Sequence, residues 1–165
     1  MKYVRIITIT ALSIAAITTA HAQTNFSGKW NRNTDQSDSG DLSPNSVPIT
    51  VTISQDKDQF AIRTVVRDGK GELHTVADNL RLDGTENINI TESADKTNST
   101  KSKVNVKWID DKHLLYRRIV FGKDGYPDQD WKETISISGN NLVIDVDVTN
   151  NGEGYHMKEV FDKAE

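Results

Sequence analysis

Behind an apolar leader, hydrophobic residues recur at every second position, and no stretch keeps the spacing of three and four that an amphipathic helix needs. Ile49, Val51 and Ile53 alternate with Thr50 and Thr52. Phe60, Ile62, Thr64 and Val66 alternate with Ala61, Arg63, Val65 and Arg67. A two-residue turn at Asp56-Lys57 sets Ile53 opposite Phe60, and a turn at Gly69-Lys70 sets Val66 opposite Leu73, with Thr75 and Ala77 following on the same face. The class this predicts is all-β.

The C-terminal half repeats the pattern. Trp131, Glu133, Ile135 and Ile137 share one face, and a Gly139-Asn140 turn sets Ile137 opposite Leu142. From there the face continues through Ile144, Val146 and Val148. The stretch "TNNGEG" then turns the chain so that Val148 meets Tyr155, ahead of Met157, Glu159 and Phe161. With Phe26 to Asn33 and the segments around 80 to 90, 102 to 109 and 114 to 121, about eight to ten strands result. That number suits a single antiparallel up-and-down meander closing into a barrel to remove its edges. Residues 34 to 46 and 91 to 101 are polar, small and without period, and read as loops.

The leader changes the address. Lys2 and Arg5 precede an apolar run from Ile6 to about Ala20, and Ala20-His21-Ala22 is an A-x-A cleavage pattern, so residues 1 to 22 are expected to be a signal peptide. Removing them from the 165 leaves 143 residues, 23 to 165, enough for one domain. Losing Lys2 and Arg5 takes the 20 basic residues to 18 against 24 acidic ones, a balance of −6 with histidine neutral. Nucleic acid and anionic membranes reward the opposite charge. There is no cysteine for a disulfide or a lipid anchor, so the expectation is a periplasmic or secreted protein held together by its core, with no membrane anchor after cleavage.

Phe26-Ser27-Gly28-Lys29-Trp30 resembles the F-x-G-x-W that begins the first strand in the calycin superfamily, which includes lipocalins and fatty-acid-binding proteins. Glycine permits a sharp bend at the barrel base and tryptophan plugs it, so Phe26, Gly28 and Trp30 are assigned a structural role. The closing "EVFDK", residues 159 to 163, is similar to the last strand of such barrels, and Ser37-Asp38-Ser39-Gly40 resembles a stretch found in secreted bacterial lipocalin-like domains. The resemblance implies a lipocalin-like barrel. Two features depart from it. No arginine follows Arg118, which leaves Lys158 or Lys163 to stack on the tryptophan, and residues 34 to 46 lack the apolar content of a helical lid.

Catalytic chemistry finds no foothold. There is no G-x-S-x-G elbow, and no serine stands in a context that marks a nucleophile. His74, His113 and His156 have no second ligand at zinc spacing. "DQSDSGD" begins like a calcium loop but places Ser46 where a bidentate glutamate is required, and the aspartates of "GKDGYPDQD" are what turns select anyway. Neither a metal nor a cofactor is expected.

The remaining signal lies inside. "LLYRRIVF", residues 114 to 121, carries adjacent arginines in a strand apolar on both sides, so alternation sends one of Arg117 and Arg118 inward. A three-residue turn from Asp110 to Lys112 pairs Trp108 with Leu114 and makes it Arg118, beside Tyr116. Glu133 and Glu159 are inward by the hairpin registers. Buried charges must be paired or face a wet cavity. Tyr116, Arg118, Glu133 and Glu159 are therefore the candidate binding residues, either as an anchor for a small hydrophobic or amphipathic ligand or as an internal ion network. The first alternative makes the protein an exported binding module. The second makes it an envelope interaction module with a packed barrel, whose partner contacts its outer face or the two polar loops. An apolar cavity of roughly a few hundred Å³ separates the two.

Overall fold

The computed structural model describes residues 23–40, 47–67, 70–92, 99–150 and 152–165; the leader, with its expected cleavage site, lies outside them. Ten strands follow one another: β1 (Gly28–Arg32), β2 (Pro48–Gln55), β3 (Gln59–Arg67), β4 (Leu73–Arg81), β5 (Asn87–Glu92), β6 (Ser99–Asp110), β7 (His113–Phe121), β8 (Pro127–Ser138), β9 (Asn141–Asn150) and β10 (Glu153–Lys163). All belong to one antiparallel sheet in the order β4-β3-β2-β1-β10-β9-β8-β7-β6-β5. The meander is interrupted only where β10 returns beside β1, which rolls the sheet into a barrel. It is nearly closed, because β4 and β5 are its two edges and no backbone ladder joins them. Residues 91, 92 and 99 to 101, expected in a loop, extend β5 and β6 instead.

From β6 to β10 the registers follow the alternation. Trp108 faces Leu114, Ile137 faces Leu142 and Val148 faces Tyr155. The β6–β7 turn is a residue shorter than expected, with Asp110 paired to His113 and a bulge at Ile109 absorbing the difference.

The first half needs three corrections. Ile53 lies opposite Ile62, not Phe60, because the β2–β3 loop runs from 56 to 58: Asp56 Oδ1 accepts from the backbone N–H groups of Asp58 and Gln59, a side-chain-built turn longer than two residues. The slip is even, so the faces survive. In β2 a bulge between Pro48 and Thr50 breaks the alternation at Ile49 and sets Pro48 opposite Val66. The third slip is odd. Val66 lies opposite His74, not Leu73, which turns Val76, Asp78 and Leu80 inward in place of Leu73, Thr75 and Ala77. Leu73 is 60% exposed. The far end of the hairpin decides this register: Leu80 packs opposite Phe60, and Leu82 beyond it is also buried. Two buried leucines outweigh one. The turn expected at Gly69-Lys70 falls partly outside the described residues.

The turns at 56–58, 82–86, 111–112 and 139–140 gather at one end, tied by bonds from Leu82 N–H to the Asp58 carbonyl (3.0 Å) and from Thr24 N–H to that of Asp111 (2.9 Å). Phe26 and Trp30 plug this end. Phe26 is fully buried, with its ring 5.9 Å from that of Trp108, and Trp30 Nε1 donates to the Phe26 carbonyl at 3.1 Å. Gly28 sits at φ +149°, which side chains rarely adopt, and that bend lets the indole reach back four residues. Lys163 lies 5.6 Å over the Trp30 ring, in the role that an arginine takes in the barrels this start resembles.

Candidate ligand cavity

Above the plug the inward side chains stop filling the barrel. A cavity of about 390 Å³ remains. Its wall is largely apolar, with Val51 and Ile62 on one side and Trp131, Ile144 and Val146 on the other. Of the polar and charged residues that line it, five could titrate or ion-pair: Asp78, Tyr116, Arg118, Glu133 and Glu159. All four binding residues expected from the sequence thus reach one cavity. The partners they find there are different from those expected.

Arg118 pairs with Asp78, a residue that the misplaced β3–β4 register had turned outward. Its Nη2 lies 2.6 Å from Asp78 Oδ2, to which the Tyr116 hydroxyl also donates at 2.8 Å; the same hydroxyl accepts from Arg118 at 2.7 Å. Asp78 Oδ1 accepts from Asn89 Nδ2 at 3.0 Å. One carboxylate on β4 therefore ties together β5 and β7, across the gap where no backbone ladder runs. Burial pushes the Tyr116 hydroxyl well above the ordinary phenol range, with Arg118 pulling against the shift. Burial works against the charge of Arg118, but Tyr116, Asp78 and Glu133 hold its pKa up. Arg117 points outward, as alternation requires, and makes a two-pronged ion pair with Asp130, both contacts at 2.8 Å.

Glu159 belongs to a second group. Its Oε2 accepts from Arg32 Nε at 2.6 Å and its Oε1 from Ser39 Oγ at 3.0 Å, while Arg32 Nη2 donates to the same serine oxygen at 2.6 Å. Ser39 is brought in by the segment after β1, which lies along β10 through paired backbone bonds between Asp38 and Lys158. Residues 41–46 lie outside the description. Arg32 is the other functional side chain that sequence reasoning missed, although the signal was present: counting by two from the buried Trp30 puts it on the inner face.

Glu133 is left over. It stands between Tyr116 on β7 and Val146 on β9, and no hydrogen bond or ion pair reaches its carboxyl among the described residues. The side chain is half-buried and its carboxyl opens onto the cavity, surrounded by protein and away from the bulk solvent outside the barrel. Burial pushes it up to about 7, with Arg118 pulling against the shift and Asp78 adding to it. The folded protein thus keeps this proton to higher pH than the unfolded chain, whose glutamates titrate near 4.5. Stability should fall as pH rises from about 4.5 to about 7, and the penalty is complete above that. Glu133→Gln removes it. Denaturant titration should find the variant more stable by on the order of 2–3 kcal/mol at pH 8, the lower end if water fills the cavity, and equal to wild type near pH 4. Equal stability at both pH values would mean that the carboxyl is solvated as well in the barrel as in water.

The chain is a nearly closed, ten-stranded up-and-down antiparallel barrel around a mostly apolar cavity, and solved structures share this fold. The fluorescent protein UnaG, in the form of a point mutant, is similar over 85% of this chain and 96% of its own, with a TM-score of 0.51 at 19% identity. Zebrafish ileal bile acid-binding protein, complexed with cholic acid, is similar over 84% of this chain and 98% of its own, with a TM-score of 0.54 at 16% identity. Likeness at these identities establishes the fold. No protein-family model matches the sequence, and no curated protein does.

Proposed function

We propose that this protein is an exported binding module that holds a small hydrophobic or amphipathic molecule inside its barrel. The observation that carries the reading is the cavity of about 390 Å³, which falls within the size range of small-molecule sites and joins an apolar wall to a few converging polar groups. A barrel packed for interaction alone has no use for such a void, since unfilled core volume destabilises. The similar zebrafish barrel is complexed with cholic acid, itself amphipathic. Export is supported by the leader pattern of residues 1 to 22.

A neutral, environment-sensitive dye such as Nile red should bind the mature protein with a blue-shifted emission and be displaced by uncharged long-chain alcohols. Val146→Trp or Thr64→Trp, each filling the cavity from the wall, should abolish binding while circular dichroism shows the sheet intact. Dye that binds the filled variants as well as wild type would place the site elsewhere and overturn the reading. N-terminal sequencing of protein recovered from the envelope or medium should begin at Gln23, and a retained Met1 would remove the export half of the proposal.

A further inference from the structure

Among the described residues, the interior around the cavity holds two guanidinium groups and three carboxyl groups, and the pairing among them is uneven. Arg118 pairs its charge with Asp78, and its Nη2 also donates to Tyr116. Arg32 pairs its charge with Glu159 and also donates to Ser39. Each pair cancels its own charge, so neither guanidinium has a surplus to offer an incoming anion. Glu133 alone points its carboxyl into the cavity with no side chain bonded to it among the described residues. With every group ionised, the charges at this site sum to −1.

We infer that the cavity selects an apolar molecule bearing a basic amine, whose ammonium group pairs with the Glu133 carboxylate while its hydrocarbon body lies against Trp131, Val146 and Ile62. This inference rests on the cavity being a ligand site. An ammonium supplies the donors that Glu133 lacks, in surroundings of low dielectric where a charge-assisted hydrogen bond is strong. It also cancels the surplus negative charge. A carboxylate ligand meets the opposite situation: each guanidinium is already neutralised by Asp78 or Glu159 at 2.6 Å, so it offers no net positive charge, and the ligand adds a second negative charge beside Glu133.

The groups that share this space with Glu133 are Tyr116 and Arg118 on β7, Asp78 on β4, Glu159 on β10 and its partner Arg32 on β1; Ile144 and Val146 on β9 are apolar. Tyr116 is held above the ordinary phenol range and Arg118 above its own, so neither changes charge near neutrality. Glu133 does, at about 7. An alkyl ammonium keeps its charge to about pH 10, like lysine. Amine affinity should therefore rise as pH passes through about 7 and Glu133 loses its proton, while the affinity of a neutral guest of the same length stays flat.

The test compares n-decylamine, n-decanol and decanoate, followed through Trp131 fluorescence in the wall and by calorimetry, from pH 5 to pH 8. The expected result at pH 8 is an amine that binds more than about tenfold tighter than the alcohol, the margin that a charge-assisted hydrogen bond supplies, with the acid weakest. At pH 5 that margin should shrink towards nothing. In Glu133→Gln, with its fold checked by a thermal melt, amine and alcohol should bind alike at both pH values. An amine no tighter than the alcohol, an acid tighter than the amine, or an amine preference that survives Glu133→Gln would overturn the inference while leaving the binding module standing. Failure of all three probes, together with failure of the neutral dye, would overturn both.

Discussion

Trp30→Ala is expected to destabilise the barrel by about 3–5 kcal/mol, the usual cost of emptying a core tryptophan site. The indole is 3% exposed, fills the closed end beside Phe26 and holds the chain's entry into β1 through its bond to the Phe26 carbonyl. Its loss removes the support under Phe26 and the surface on which Lys163 rests. The remaining side chains come from several strands already joined in ladders, so they have little freedom to collapse into the space. Denaturant titration reads the effect directly, as a lower midpoint with an unchanged slope. A midpoint equal to wild type would mean that the plug contributes nothing and that the F-x-G-x-W spacing has some other cause.

Asp78→Ala should cost a similar amount, about 3–5 kcal/mol, for a different reason. The substitution removes the acceptor shared by Arg118, Tyr116 and Asn89 and leaves a guanidinium without its carboxylate in an apolar cavity. The Arg118 side chain is 23% exposed, which points to the lower end of that range. Replacing both partners, as Asp78→Leu with Arg118→Met, should recover much of the loss, because the penalty arises from the unpaired charge and not from absence of the pair. Hydrogen exchange adds a spatial readout. In the single variant protection should fall first in β4 and β5, the edges that Asp78 links in place of a backbone ladder. A single variant no less stable than the double would show that Arg118 finds solvent easily and that the pair does little to close the barrel.

Most of the barrel was legible because its determinants are local. Alternation of period two marks a strand and its faces within eight or so residues, and Gly139-Asn140 names its own turn. From Trp108 to Phe161 this was enough to turn Tyr116, Arg118, Glu133 and Glu159 inward. The β3–β4 hairpin failed for an equally physical reason. Its connection, "DGKGE" at 68 to 72, offers competing turn signals at Asp68-Gly69 and Gly69-Lys70 that favour different registers, and β4 reads "LHTVADNLR", with an apolar residue on either face near its start. Choosing Leu73 over Val76 as the inward residue slipped the strand by one and sent Asp78 outside. Arg32 lies two positions beyond Trp30 in β1, so the same alternation that buries the indole places it on the inner face.

The sequence by itself thus determined an all-β meander, the residues of its plug and four of the charged or polar groups on its inner wall, since each follows from contacts between near neighbours along the chain. Only the tertiary structure decided who pairs with whom. Arg118 and Asp78 are 40 positions apart, and Arg32 and Glu159 are 127 apart. Closure of the barrel brings such residues together, and a buried charge takes whichever opposite charge closure delivers. The same closure left about 390 Å³ unfilled and, among the described residues, left Glu133 without a hydrogen-bond or ion-pair partner. Neither outcome is written in any short stretch of sequence, because a cavity is the difference between the volume that ten strands enclose and the volume that their side chains occupy.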